Sequence, residues 1–164
     1  MNKRMISFFV GAAVLIHGGF AYAHCEIPCG IYDDRARILM IAEHIATVEK
    51  SMKMIEELSR EKAVNYNQLV RWIGNKEEHA KKIQDIAEQY FMTQRIEPVD
   101  EKNKEAYRKY IRQLTLLHEL LVYAMKSKQT TDIVYVEKMR AALKQFEEAY
   151  FSKSLKSEKL QGQE

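Results

Sequence analysis

The chain is poor in residues that staple, break or sharply bend a backbone: of 164 residues, 2 are cysteine, 2 proline, 6 glycine and 1 tryptophan. Two cysteines exclude a disulfide-dense scaffold. So little proline and glycine leaves few of the tight turns that a strand-rich fold needs, and no segment reads as a strand. An excess of charge of one sign is also missing. The 26 Lys and Arg residues face 23 Asp and Glu residues, for a formal charge of +3, and the two signs are mixed along the chain. That mixture describes solvated helix faces and argues against nucleic acid as a partner. There is no internal repeat of the kind a solenoid shows.

The longest apolar run lies at the start. Lys3 and Arg4 precede apolar residues from Met5 to about Ile16, then His17, Gly18 and Gly19, and Ala21-Tyr22-Ala23 forms a small-x-small cleavage signature. Residues 1–23 therefore read as a secretory signal peptide, too short and too interrupted for a comfortable membrane span. A signal peptidase is the partner expected for maturation, and the product is expected to be exported, periplasmic or secreted, without stable membrane association. Lipid attachment at Cys25 competes, but it favours a small residue just before the cysteine and His24 is not small. Loss of Lys3 and Arg4 takes the charge from +3 to +1, and what remains is enough for one domain with one core.

Cleavage after Ala23 would make His24 the first residue of residues 24–32, a segment that holds both cysteines, Cys25 and Cys29, and one of the two prolines, Pro28. The new α-amine, the Cys25 backbone nitrogen and the two sulfurs can converge on one metal ion through fused five-membered chelate rings, with the His24 imidazole in reach of an axial position. Two thiolates and two nitrogens in a plane suit Ni(II) or Cu(II), whereas zinc prefers a tetrahedron. A disulfide is the competing use of the sulfurs, but four residues apart it would close a loop too small to stabilise much. Pro28 and Gly30 let the segment fold back on itself, the first by fixing a torsion and the second by tolerating torsions others avoid.

From Asp33 onward the apolar residues recur at spacings of three and four. The first stripe is Ile38, Ile41, Ile45, Val48, Met52 and Ile55, with Asp33 or Asp34 as cap; the second runs Leu69, Trp72, Lys76, His79, Ile83, Ile86 and Tyr90 behind Asn65 or Asn67. A connection with Pro98 follows, and Asp100 is expected to open a third helix carrying Tyr107, Tyr110, Leu114, Leu117, Leu121 and Ala124. Thr130, Thr131 and Asp132 mark the start of a fourth with Val136, Met139, Leu143, Phe146 and Tyr150. Four such stripes joined by short polar connections predict an all-α, antiparallel up-down four-helix bundle over residues 33–152, with a flexible tail over 153–164. Lys76 and His79 stand out because the register points both inward. Lys76 either attracts an anion there or carries its charge to the bundle end, and His79 is otherwise a satisfied core or interface histidine.

The pattern His-Cys-x-x-Pro-Cys-Gly-x-Tyr behind a processing site resembles the nickel-binding hook of the nickel superoxide dismutases. The resemblance implies a nickel-dependent superoxide dismutase with one nickel ion per subunit, superoxide as substrate, Ni(II)/Ni(III) cycling, and dioxygen and hydrogen peroxide as products. It implies His24, Cys25 and Cys29 as ligands, a cis bond before Pro28, and a Tyr32 hydroxyl that controls access beside the metal, with Tyr90 either a second tyrosine of that arrangement or simply a core aromatic. It also implies a homo-oligomer of six bundles in a hollow shell. Glu26 stands where the family more often has aspartate. The family's glutamate on the first helix and arginine on the second, which hold the axial imidazole, are replaced by Leu39 and by Asn75 or Lys76, so Glu43 and Lys76 are the substitutes the sequence offers. Two rival functions use the same features: an exported nickel or copper carrier bundle without turnover, and a structural bundle with a small disulfide.

Overall fold

The computed structural model describes residues 30–152. Helix α1 spans Asp34–Ser59, α2 spans Tyr66–Asp85 and continues into a π-helical segment Ile86–Arg95, α3 spans Lys104–Gln129 and α4 spans Val134–Phe151. Among the described residues there is no strand. Each helix packs on the next and α4 returns to α1, the ring of neighbours of a four-helix bundle. The helices belong to one compact unit that begins at Asp33.

Side chains fix three of the four helix starts. The Asp33 carboxylate accepts the Ala36 N–H at 2.9 Å, Asn65 accepts from Gln68 at 3.2 Å and Asn103 accepts from Ala106 at 3.4 Å, so each satisfies a donor that the first turn leaves without a helical partner. Asp100 does not open the third helix as its position in the sequence suggested. Its carboxylate accepts the Lys102 N–H at 2.9 Å and its carbonyl the Asn103 N–H at 3.0 Å, closing a turn that leaves the cap to Asn103. At α4 the Asp132 carboxylate accepts the Val134 N–H at 3.0 Å while Ile133 occupies the capping position.

The core follows the stripes of α1 and α4 closely. Ile38, Ile41, Ile45, Val48 and Met52 meet Val136, Met139, Leu143 and Phe146, all buried. On α3 the buried face is turned by about one residue from the predicted one. Leu116, Leu117, Leu120 and Ala124 are buried, whereas Tyr110, Leu114 and Leu121 pack at its margins. This helix touches α2, the π segment and α4, so it needs a wider apolar arc than a single column supplies. Tyr107 lies outside the core, its hydroxyl 3.4 Å from Glu101.

The second stripe does not run through one α-helix. After Asp85 the winding loosens so that the Ile96 N–H reaches back five residues to the Phe91 carbonyl at 2.9 Å, and the Thr93 and Gln94 side chains likewise donate to the carbonyls of Glu88 and Gln89, each five residues earlier, at 2.9 Å. In an α-helix two residues five apart lie about 140° apart around the axis; the wider π turn brings them close to one line. Tyr90 and Arg95 are such a pair, and both reach one carboxylate. Phe91, between them, is fully buried with its ring 5.0 Å from Phe146 and 5.5 Å from Tyr150, both edge to face, a geometry aromatic pairs favour.

The carboxylate is that of Asp34, in the first turn of α1. Arg95 bonds it through Nε to Oδ1 at 2.7 Å and Nη2 to Oδ2 at 2.8 Å, the Tyr90 hydroxyl donates to Oδ1 at 2.7 Å and the Tyr150 hydroxyl to Oδ2 at 2.8 Å. Four donors fill the four acceptor positions of the group, and the helix N-terminus adds to the field that favours its charge. The Arg95 hydrogen bond, helped by those of the tyrosines and opposed by burial, holds Asp34 down at about 2. Burial first, and then the bond to Asp34, push Tyr90 and Tyr150 each up to about 12. Since Asp34 titrates lower folded than unfolded, its contribution to stability is present in full above its ordinary value of 3.8 and is lost as pH falls through about 2. Asp34→Asn should cost about 2–3 kcal/mol at neutral pH, because Arg95 and both hydroxyls lose their anion. Urea unfolding at pH 7 and again between pH 4 and 2 checks this: the native protein should lose stability over the acid range and the variant should change less.

Candidate metal centre

The segment that carries the metal-ligand pattern ends where the bundle begins. His24, Cys25, Glu26, Pro28 and Cys29 lie outside the described residues, as does the bond before Pro28. Gly30 takes φ +79°, the left-handed region that a side chain disfavours, which gives a physical reason for glycine just after Cys29. Tyr32 is 39% exposed. The next two residues are the helix cap Asp33 and the four-times-bonded Asp34, so the chain is anchored as soon as the segment is complete.

Of the more distant residues singled out in the sequence, Tyr90 is 4% exposed and gives its hydroxyl to Asp34, with the Arg37 guanidinium 5.1 Å over its ring. It is both a core aromatic and a polar anchor. Lys76 is 5% exposed, and its ammonium donates to the carbonyls of Lys128 at 2.8 Å and Thr130 at 3.0 Å. These carbonyls close α3, where a cation is favoured by the orphan acceptors and the helix dipole. Burial draws the Lys76 pKa below its ordinary value, with Glu77 opposing. Asn75 donates to the Ser51 hydroxyl at 2.9 Å, and Leu39 is 64% exposed.

Glu43 is exposed on α1, and its charge acts on two histidines. His79 on α2 faces His44 on α1, with the two Nδ1 atoms 3.1 Å apart and the rings 4.9 Å apart at 77°. Burial is the main cause that holds both below the usual imidazole range. For His44 the charges of His79 and Lys82 add to it and Glu43 opposes; for His79 Lys82 adds to it and Glu78 and Glu43 oppose. The structure thus brings Glu43 and His79 into one neighbourhood and holds Tyr90 elsewhere: the α1 residues they meet, His44 and Asp34, are ten positions apart, about 15 Å along the helix. Lys76, one turn from His79, is committed to the end of α3.

Sequence reasoning missed His44, Asp34 as a hub, and Arg95 and Tyr150 as its partners. No periodicity marks His44, which flanks the stripe beside Ile45, and the Asp34 cluster depends on the π winding. Among the described residues no three His, Cys, Asp or Glu side chains come together as a metal site, and no helix is long and apolar enough to cross a membrane.

A helical bundle preceded in sequence by a histidine and two cysteines within nine residues belongs to a recognisable class of metalloprotein. The model of the nickel-containing superoxide dismutase family matches residues 20–154, which takes in the hook motif and all four helices. No curated protein and no solved structure matches the chain. The chain belongs to the nickel-containing superoxide dismutases: it is an oxidoreductase with a nickel cofactor and superoxide as its substrate. Lys76→Met, which keeps the bulk of the stem but removes the cation from the α3 carbonyls, should lower stability by about 2 kcal/mol with helix content unchanged. Denaturant unfolding followed by circular dichroism measures both.

Proposed function

We propose that the protein is exported, is cut by a signal peptidase before His24, and would hold one nickel ion per subunit through the His24 α-amine and imidazole, the Cys25 amide nitrogen and the Cys25 and Cys29 thiolates. The observation that carries this reading is the contiguous run from His24 to Tyr32 inside the region matched by the family model. The donor set fits nickel in its chemistry, since thiolates are soft and nitrogens of this kind suit a planar late transition metal. Bound nickel supplies a one-electron couple between its divalent and trivalent states, which is what disproportionation of superoxide requires.

The protein's own groups do the rest. Two anionic sulfurs and an anionic amide supply the electron density that makes a higher oxidation state accessible. Tyr32, two residues before Asp34, screens the site and helps order water there, and the protons of the peroxide product come from that water or from a protonated thiolate. Tyr90 is not a proton source near neutral pH, because burial and the Asp34 carboxylate push its hydroxyl up to about 12; its part is to hold the root of the hook. Glu26 keeps the acidic charge after the first thiolate, and Pro28 and Gly30 shape the return of the chain. Assembly of the bundles into a hexamer and a location in the periplasm or outside the cell complete the proposal.

The reading makes processing part of the chemistry, because the amine ligand is a peptide nitrogen until Ala23 is removed. One alanine inserted between Ala23 and His24, with cleavage still ahead of it, should abolish turnover, measured by stopped-flow decay of superoxide on protein of confirmed N-terminus. Full activity in that variant would refute the ligand set. Cys25→Ser and Cys29→Ser should each lose nickel, seen as less than one ion per chain by metal analysis, with α-helix content retained. A protein that binds nickel but decays superoxide no faster than the free ion would be a carrier.

A further inference from the structure

The facing rings of His44 and His79 are not used by the hook chemistry, and the spacing of their Nδ1 atoms is that of two ligands on one ion. Two nitrogens bound cis to one ion at about 2.1 Å lie roughly 3 Å apart; the two Nδ1 atoms are 3.1 Å apart. A straight N–H···N bond along the line of both rings would carry the ring centres beyond the observed 4.9 Å. The contact is therefore bent, with the two ring planes at 77°. In the neutral pair one Nδ1 has to carry a proton for the contact to attract, and a cation in its place would serve both nitrogens at once.

We propose that His44 and His79 form a second metal site, carried by α1 and α2, that takes a divalent late first-row cation through their two Nδ1 atoms with water in the remaining positions.

The surroundings agree with a cation there. Glu43 and Glu78 bear on the pair from α1 and α2, and Lys82, whose positive charge also bears on both rings, is bonded to Glu78 at 2.6 Å. A shallow cavity of about 350 Å³ lined by Met40, His44, Lys82, Asp85 and Ile86 opens beside the His44 ring, giving a hydrated ion a way in. Since no third His, Cys, Asp or Glu joins them among the described residues, the ion would exchange with solvent, unlike one held by two thiolates. The ligand types fit zinc and copper as well as nickel.

The test uses the mature, nickel-loaded protein, in which the hook is filled. Titration with Zn(II) in a calorimeter should show one further equivalent bound while the nickel content stays constant. His44→Gln and His79→Gln, each checked for native helix content, should weaken that uptake about tenfold or more, and His118→Gln on α3 should leave it unchanged. X-ray absorption at the zinc edge of the unmodified protein, which needs no substitution, should show two imidazoles with oxygen donors otherwise. No second equivalent, uptake unchanged in both variants, or sulfur in the zinc shell would each overturn the assignment. None of these outcomes bears on whether the hook disposes of superoxide.

Discussion

The Asp34 carboxylate is the point on which the rest of the structure depends. It sits in the first turn of α1 and is held by Arg95 from the π segment, Tyr90 from the same segment and Tyr150 from the end of α4. One small anion thereby joins three of the bundle's elements. A partly buried carboxylate is costly to desolvate unless every acceptor position is filled and a counter-charge is close, and both conditions are met here. The same contacts anchor the polypeptide two residues beyond Tyr32.

Elsewhere in the bundle buried polarity likewise serves to join elements. Lys76 reaches from α2 to the last carbonyls of α3, Asn75 and Ser51 tie α2 to α1, and Gln84 donates to the Leu121 carbonyl at 3.2 Å while accepting from Lys128 at 2.8 Å. Among the described residues no buried side-chain nitrogen or oxygen lacks a partner. Apolar stripes alone would let neighbouring helices slide by a turn at little cost. Groups that need one specific acceptor fix the register.

The four helices, the capping residues Asp33 and Asn65 and the inward direction of Lys76 were legible in the sequence, because each follows from helical periodicity or from local hydrogen bonding. The family was legible for a different reason: the run from His24 to Tyr32 that resembles it is contiguous and lies inside the region its model matches. The π segment was not. Ile83, Ile86 and Tyr90 continue an α-helical pattern without a break, and only the position of Arg95 relative to Tyr90 records the change of winding. The His44 and His79 pair was half visible, since His79 falls on the stripe while its partner belongs to another helix and to no periodic set. Pairings between distant segments are set by packing, which one sequence does not display. The turned face of α3 has the same origin: Leu116 and Leu120 are buried because of what the π segment and α4 place beside them.

The loosened winding from Ile86 to Arg95 also makes that stretch intolerant of changes in length. Remove one residue ahead of Tyr90 and ordinary helical winding would be restored, yet Tyr90 and Arg95 would still be five apart and so about 140° apart around the axis, which leaves the guanidinium on the wrong side and strands the anion at the head of α1. The connection between Ser59 and Tyr66 has no such obligation, so additions there would be absorbed. In this bundle, insertions and deletions are therefore constrained most where the helix is at its least regular.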